Sequence, residues 1–193
     1  GNNKGRMIAQ GDIKCKFIEN GIAEAKGDIF LESAIHATLS SQGSIFIKSG
    51  CGILVGGQVT AMKTIEATSV GNKSNRMTSL AIAPTEQFLQ QKSQSEQELR
   101  QAEQELEQIE QNPSPSNEEK LRTTALRMKQ RKLKQQLEQM QDQCEELSMA
   151  IMRFNILHPN TSITIDRASA ITRQKYCQCL VYNRGGEIAF GMK

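Results

Sequence analysis

A Gly-polar-Ile triplet recurs at a fixed interval near the N-terminus. Gly11-Asp12-Ile13, Gly27-Asp28-Ile29 and Gly43-Ser44-Ile45 begin 16 residues apart each time. A period that short holds neither a βαβ unit nor a helical hairpin, but it fits one coil of a β-solenoid. After each triplet an apolar or thiol side chain returns two places on, as Ile13/Cys15, Ile29/Leu31 and Ile45/Ile47. Alternation with period 2 places each pair on one face of a short strand. The glycines mark corners where the chain turns tightly or takes φ > 0.

Weaker strands of the same kind lie between the triplets: Ala23/Ala25, Ile35/Ala37/Leu39, Ile53/Val55, Val59/Ala61 and Ile65/Ala67. Two or three short strands per coil, parallel from coil to coil, stack these residues in ladders. Residues 6 to 83 then make roughly four to five coils, each rising about 4.8 Å. A narrow interior suits alanine, serine and cysteine at inward positions, and the chain has no tryptophan. A β-sandwich is the ordinary alternative, but it keeps no 16-residue register.

The composition changes abruptly in the middle. Residues 86–153 contain no glycine, 15 glutamines, 13 acidic and 10 basic side chains. Leu99, Ala102, Leu106 and Ile109 step by three and four, and Phe88 and Ser95 extend that register backward. Leu133, Leu137, Met140, Cys144, Leu147, Ile151 and Phe154 do the same further on, which is the spacing of a coiled-coil seam. Residues 112–117 interrupt it with Pro113 and Pro115, which no continuous helix tolerates. Asn117 is the expected N-cap, with Glu118 and Glu119 in the first turn. The spacing predicts an antiparallel coiled-coil hairpin over 86–155, with arms of about 40 and 55 Å, standing out from the solenoid. Its exposed Arg127, Arg131 and Lys134 lie on successive turns, where they would meet an acidic partner.

His158-Pro159 is expected to stop the second helix. Ser162–Asp166 alternates as the earlier strands do, Cys179–Tyr182 follows, and Gly186–Gly191 echoes the opening triplet. The predicted organisation is therefore 1–85 as solenoid coils, 86–155 as the hairpin and 156–193 as a return that adds coils or a cap. A terminal coil exposes unpaired backbone groups and needs such a cap.

Several function classes receive little support. No apolar run is long enough to span a bilayer and no signal peptide is visible, which agrees with a cytoplasmic protein without membrane insertion. Five cysteines without framework spacing read as reduced thiols in small core sites, and Cys177-Gln178-Cys179 lacks the two-residue gap of a redox or zinc motif. His36 and His158 are isolated, so neither metal nor cofactor is expected. Asp12, Asp28 and Glu32 raise the question of a polysaccharide-cleaving β-helix. An acid/base pair needs a cleft and two distinct environments, whereas an Asp after a corner Gly caps backbone N–H groups. No catalytic residue is assigned. Outside the helical segment 14 basic residues face 8 acidic ones, and Lys14, Lys16, Lys26 and Lys48 form one basic stripe. With aromatics at 4% and none expected among these lysines, the stripe reads as a solvated face, not as a nucleic-acid platform.

The segments Lys4–Ile13, Lys16–Asn20, Gly56–Ala61 and Ile65–Asn72 together resemble the flagellar assembly protein A family. The resemblance covers most of the chain. It implies a right-handed parallel β-helix with an inserted coiled coil, in a non-enzymatic bacterial scaffold that supports flagellar assembly or its polar placement. It also implies protein partners, either a phosphotransferase-system enzyme IIA component or flagellar and polar factors, and a cytoplasmic location with recruitment to the cell pole. Ala81-Ile82-Ala83-Pro84 stands where the family carries a Val-Gly-like step, and the domain that normally comes first is missing, as in a C-terminal piece. The alternative is a self-assembling, polymer-forming β-solenoid. A polysaccharide-active or nucleic-acid-binding β-helix ranks below both.

Overall fold

The computed structural model describes residues 5–72, 77–111 and 116–192. The chain divides into two units, one of residues 1–85 with 146–193 and one of residues 86–145.

The first unit is a β-solenoid of about four turns before the helices begin, and each turn has three faces. The first turn consists of β1 (Arg6–Ala9), β2 (Ile13–Lys14) and β3 (Phe17–Glu19). β4 (Ile22–Ala25) and β5 (Ile29–Leu31) open the second turn, and β6 (Ser33–Ser41) bends around its last corner into the third. β7 (Ile45–Ile47), β8 (Ile53–Ala61), β9 (Ile65–Val70) and β10 (Thr78–Ile82) continue the path. All strands from β1 to β10 pair in parallel with the turn above or below.

The 16-residue period is the register itself, because Ile13 pairs with Ile29 and Ile29 with Ile45. Ile45 then pairs with Ile65, so the third turn is four residues longer. The extra length lies between β7 and β8, where Gly50 and Gly52 take φ of 55° and 59°. Ile29, Ile45 and Ile65 are completely buried. Parallel ladders on the other faces run Ile18, Ala34, Leu54, Val70 and Ala23, Leu39, Val59, Leu80. Each fully buried Ile or Leu contributes about 1.5–3 kcal/mol, and the alanines keep the faces close together.

The helical segment enters at one corner of the fifth turn. β10 lies on the first face, and β11 (Ile151–Leu157) resumes on the second by pairing in parallel with β9. The same corner in earlier turns is spanned by Lys26–Asp28 and Gln42–Ser44. β12 (Thr161–Ile165) then pairs in parallel with β10, opening a sixth turn on the first face. Parallel repetition stops there. β13 (Ala168–Ile171) is antiparallel to β12, and β14 (Tyr176–Arg184) is antiparallel to β11 and to β15 (Glu187–Met192). The expected echo of the triplet at Gly186–Gly191 is therefore not a further coil. Gly185 and Gly186, with φ of 63° and 92°, form a two-residue hairpin turn between paired Arg184 and Glu187. Tyr176 and Phe190 stack across this cap at 4.3 Å.

The second unit contains α1 (Glu86–Glu110) and α2 (Asn117–Glu146). At 1.5 Å per residue they are about 38 and 45 Å long. α2 is shorter than the seam spacing predicts and ends well before His158-Pro159. Leu147 lies in a 3₁₀ turn, and Ile151 and Phe154 lie in β11, so the hairpin boundary at 155 is corrected to the end of α2. A seven-residue spacing cannot distinguish a seam from alternation here, since Met152, Phe154 and Leu157 also satisfy an inward strand face. The N-cap is Ser116 instead of Asn117. Glu119 N–H donates to Ser116 Oγ at 3.2 Å and Ser116 N–H donates to Glu119 Oε2 at 2.7 Å, a reciprocal capping box. Of the predicted turn at 112–117, residues 112–115 lie outside the described residues.

Candidate interaction surfaces

The carboxylates of the repeat are built into its corners. Asp12 Oδ1 accepts a hydrogen bond from Asp28 N–H at 2.9 Å, and Asp28 Oδ1 accepts one from Ser44 N–H at 2.7 Å. Each carboxylate thus satisfies a backbone donor of the next turn. A Cβ on Gly27 would overlap Asp12 Oδ1, and one on Gly43 would overlap Asp28 Oδ1. Gly27 and Gly43 are needed for this close approach, whereas Gly11 has open space where a side chain would stand, and none of the three takes positive φ. Glu32 lies at a different corner, against Gly50. The three acidic residues do not converge.

Lys14 and Lys48 lie on the outside of the second face, and there the sequence expectation fails. Phe30 and Phe46 stand between them. Lys14 pairs in the ladder with the turn of Phe30, and the two rings stack at 5.2 Å with 16° between planes. Lys14 Nζ lies 5.1 Å from the Phe30 centroid and Lys48 Nζ 5.7 Å from that of Phe46. Aromatics therefore do interleave with the basic stripe. Because the rings stack on each other along the solenoid, a nucleic-acid base could not stack between them without prising them apart. Glu66 continues the row, 8% exposed, and pairs with both Lys48 and Arg153, the latter at 3.1 Å. Arg153 lies 87 residues from Glu66 in sequence. The only signal for this pair was the alternation around Arg153, which the heptad count absorbed.

All five cysteines are free. Burial pushes the Cys15 and Cys179 thiols up, away from the reactive thiolate. Among the described residues no group of three His, Cys, Asp or Glu side chains is placed to hold a metal ion. Among them, too, no helix is long and apolar enough to cross a membrane.

Charge is sorted between the two helices. Residues 96–110 of α1 hold six acidic side chains and one basic, whereas 120–134 of α2 hold seven basic and none acidic. Arg122 pairs with Glu105 at 2.9 Å, Arg127 with Glu110 at 2.9 Å, Lys129 with Glu98 at 3.7 Å and Lys134 with Glu103 at 3.0 Å. Glu103 also accepts from Gln130 at 3.0 Å, and these contacts, Gln130 foremost and Lys134 next, hold its carboxyl below the usual carboxylate range. Of the predicted partner-binding trio, Arg127 and Lys134 are therefore engaged within the unit. Arg131 is exposed and makes none of these pairs.

The described geometry leaves a corner-capped solenoid and a charge-sorted helix pair. The model of the flagellar assembly protein A beta solenoid domain matches residues 1–188. The chain belongs to the flagellar assembly protein A family. No curated protein and no solved structure matches the chain. The family match spans the helical segment as well as both solenoid parts.

Proposed function

We propose that this flagellar assembly protein A family member is a non-enzymatic bacterial scaffold. It supports flagellar assembly or its polar placement by docking other proteins, in the cytoplasm and at the cell pole. Family membership over residues 1–188 is the observation that carries the flagellar part. The absence of catalytic work is supported by Asp12 and Asp28, whose carboxylates are committed to backbone donors. The solenoid is the right-handed form that the family resemblance implies. Its helices form an antiparallel coiled-coil hairpin. This is supported by ion pairs in which low numbers on α1 meet high numbers on α2, as in Glu98 with Lys129 and Glu105 with Arg122. Burial of Ala102, Leu106, Leu133 and Met140 at seam positions agrees with it.

Protein partners, a phosphotransferase-system enzyme IIA component or flagellar and polar factors, dock on the charged helices that carry Arg127, Arg131 and Lys134. Self-assembly into a polymer is the second reading. The antiparallel cap of β13, β14 and β15 weighs against it, since it ends parallel repetition. The test is complementation of a strain lacking the protein. Full-length protein with a Gly/Ser linker in place of α1 and α2 should accumulate to parental levels yet fail to restore normal flagellation. Normal flagella with that variant would sink the docking role of the helices. An apparent molar mass that rises with concentration in light scattering would favour the polymer.

A further inference from the structure

α2 uses one side for α1 and leaves a second side uncovered. Leu126, Leu133, Leu137, Met140 and Cys144 are buried or half-buried at steps of seven, four and three. Leu121, Ala125, Met128 and Lys132 follow the same steps on the opposite side, and all four are exposed. Leu121 is 74% exposed and Met128 67%. Arg131 borders them. Four of the seven cations in residues 120–134 are paired with α1 carboxylates, whereas Lys120, Arg131 and Lys132 enter no such pair.

We infer that this outward side, centred on Leu121, Met128, Arg131 and Lys132, binds an acidic amphipathic helix of another protein, which would pack as a third helix against α2. The inference rests on the scaffold reading and names the chemistry of its partner. α1 is the template on the page, since the cations of α2 already hold one acidic helix whose apolar residues recur every three or four positions. A partner of that kind would set apolar side chains on Leu121 and Met128 and carboxylates near Arg131 and Lys132. A second copy of this chain fits poorly. The free side of α1 carries Gln90, Gln94, Gln97, Gln101, Gln104 and Gln108, all exposed, and the exposed Leu89 beside them is a single apolar side chain against two anchors.

The probe is a fluorescent peptide with the sequence of residues 86–111, titrated into the full chain by anisotropy. Binding should weaken at least about tenfold in Arg131→Glu/Lys132→Glu and in Leu121→Gln/Met128→Gln, on the scale of interface hot spots. All four positions are exposed, so the helical circular dichroism should not change. Absence of binding, or equal affinity for parent and variants, would overturn the inference, the latter because the peptide would then be entering the seam. Vesicles containing phosphatidylglycerol that bind in a variant-sensitive way while the peptide does not would assign the surface to membrane instead. Variant-sensitive dimerisation in sedimentation velocity would assign it to a second copy. If the linker protein lacking α1 and α2 fails in cells while both double variants restore flagella, this surface is wrong and the scaffold stands.

Discussion

Asp12 and Gly27 lie on successive turns yet occupy one site, because the Asp12 carboxylate fills the space a side chain at position 27 would need. The same carboxylate holds the Asp28 N–H at 2.9 Å. The period of the sequence is thus a contact between turns. Each Asp requires a glycine 15 residues later, and each such glycine makes room for the previous Asp.

Asp12→Ala should lower the free energy of unfolding by about 1 kcal/mol, the net worth of one exposed hydrogen bond. Gly27→Ala should cost more, since its Cβ would also press on the backbone of Gly11 and Asp12. The two losses should be less than additive in the double variant, because removing the carboxylate relieves part of the overlap. Urea unfolding of the four proteins checks the ordering. Additive losses would mean that the two residues do not share a site.

Ile29→Asp should be far more damaging. Ile29 is completely buried between Ile13 and Ile45, and an unpaired carboxylate there has neither water nor a donor. A loss of several kcal/mol is expected, against about 1 kcal/mol for Ile29→Val. An Ile29→Asp protein that melts within a couple of degrees of the parent would refute the stacked core.

The solenoid was legible because its determinants are local and periodic: inward Ile and Leu two apart, and a Gly-polar corner at 16-residue intervals. What could not be read came from contacts between distant segments. Phe30 and Phe46 look like ordinary alternating residues until register stacks them beside Lys14 and Lys48. Arg153 carries no local sign that it will meet Glu66. The end of α2 was misplaced because Leu147, Ile151 and Phe154 fit two periods at once. Tertiary pairing with β9 and β14 decided for strand. Arg127 and Lys134 were legible as exposed cations, but their pairing with Glu110 and Glu103 depends on how α1 and α2 meet.

Arg153→Met should destabilise the solenoid by about 1–3 kcal/mol, because it leaves the nearly buried Glu66 with Lys48 as its remaining cation. Glu66→Gln/Arg153→Met removes the charge along with its partner and should recover part of the loss. Thermal unfolding of the three proteins decides. If the double variant is no better than Arg153→Met, the pair is not coupled as its geometry indicates.

Acidification should loosen the helices. The Glu103 carboxyl is held below its ordinary range by Gln130 and Lys134, so the folded pKa is lower than the unfolded one. The associated stabilisation is present above the ordinary carboxylate range and is lost as pH falls through the folded value. Helical ellipticity near 222 nm should therefore melt at lower temperature on the acid side. Glu103→Gln should flatten that dependence without abolishing it, since Glu98, Glu105 and Glu110 also pair. An acid dependence identical in parent and variant would remove Glu103 from the account.

The last prediction concerns the independence of the solenoid. The corner that receives the helices is spanned in earlier turns by short segments, 26–28 and 42–44, after which the next strand pairs in register. Residues 86–145 should therefore be replaceable by a short Gly/Ser linker, keeping Leu147 and β11 intact. Leu147 is buried and Met152, Phe154 and Leu157 continue the inward ladders, so a deletion reaching 150 or beyond would remove core as well as helix. Far-UV circular dichroism of the shortened protein should lose its helical minima and keep a β spectrum with a cooperative melt. Loss of both signals would show that the solenoid needs α1 and α2 to close its fifth turn. It would then no longer be a fold set by its own ladders.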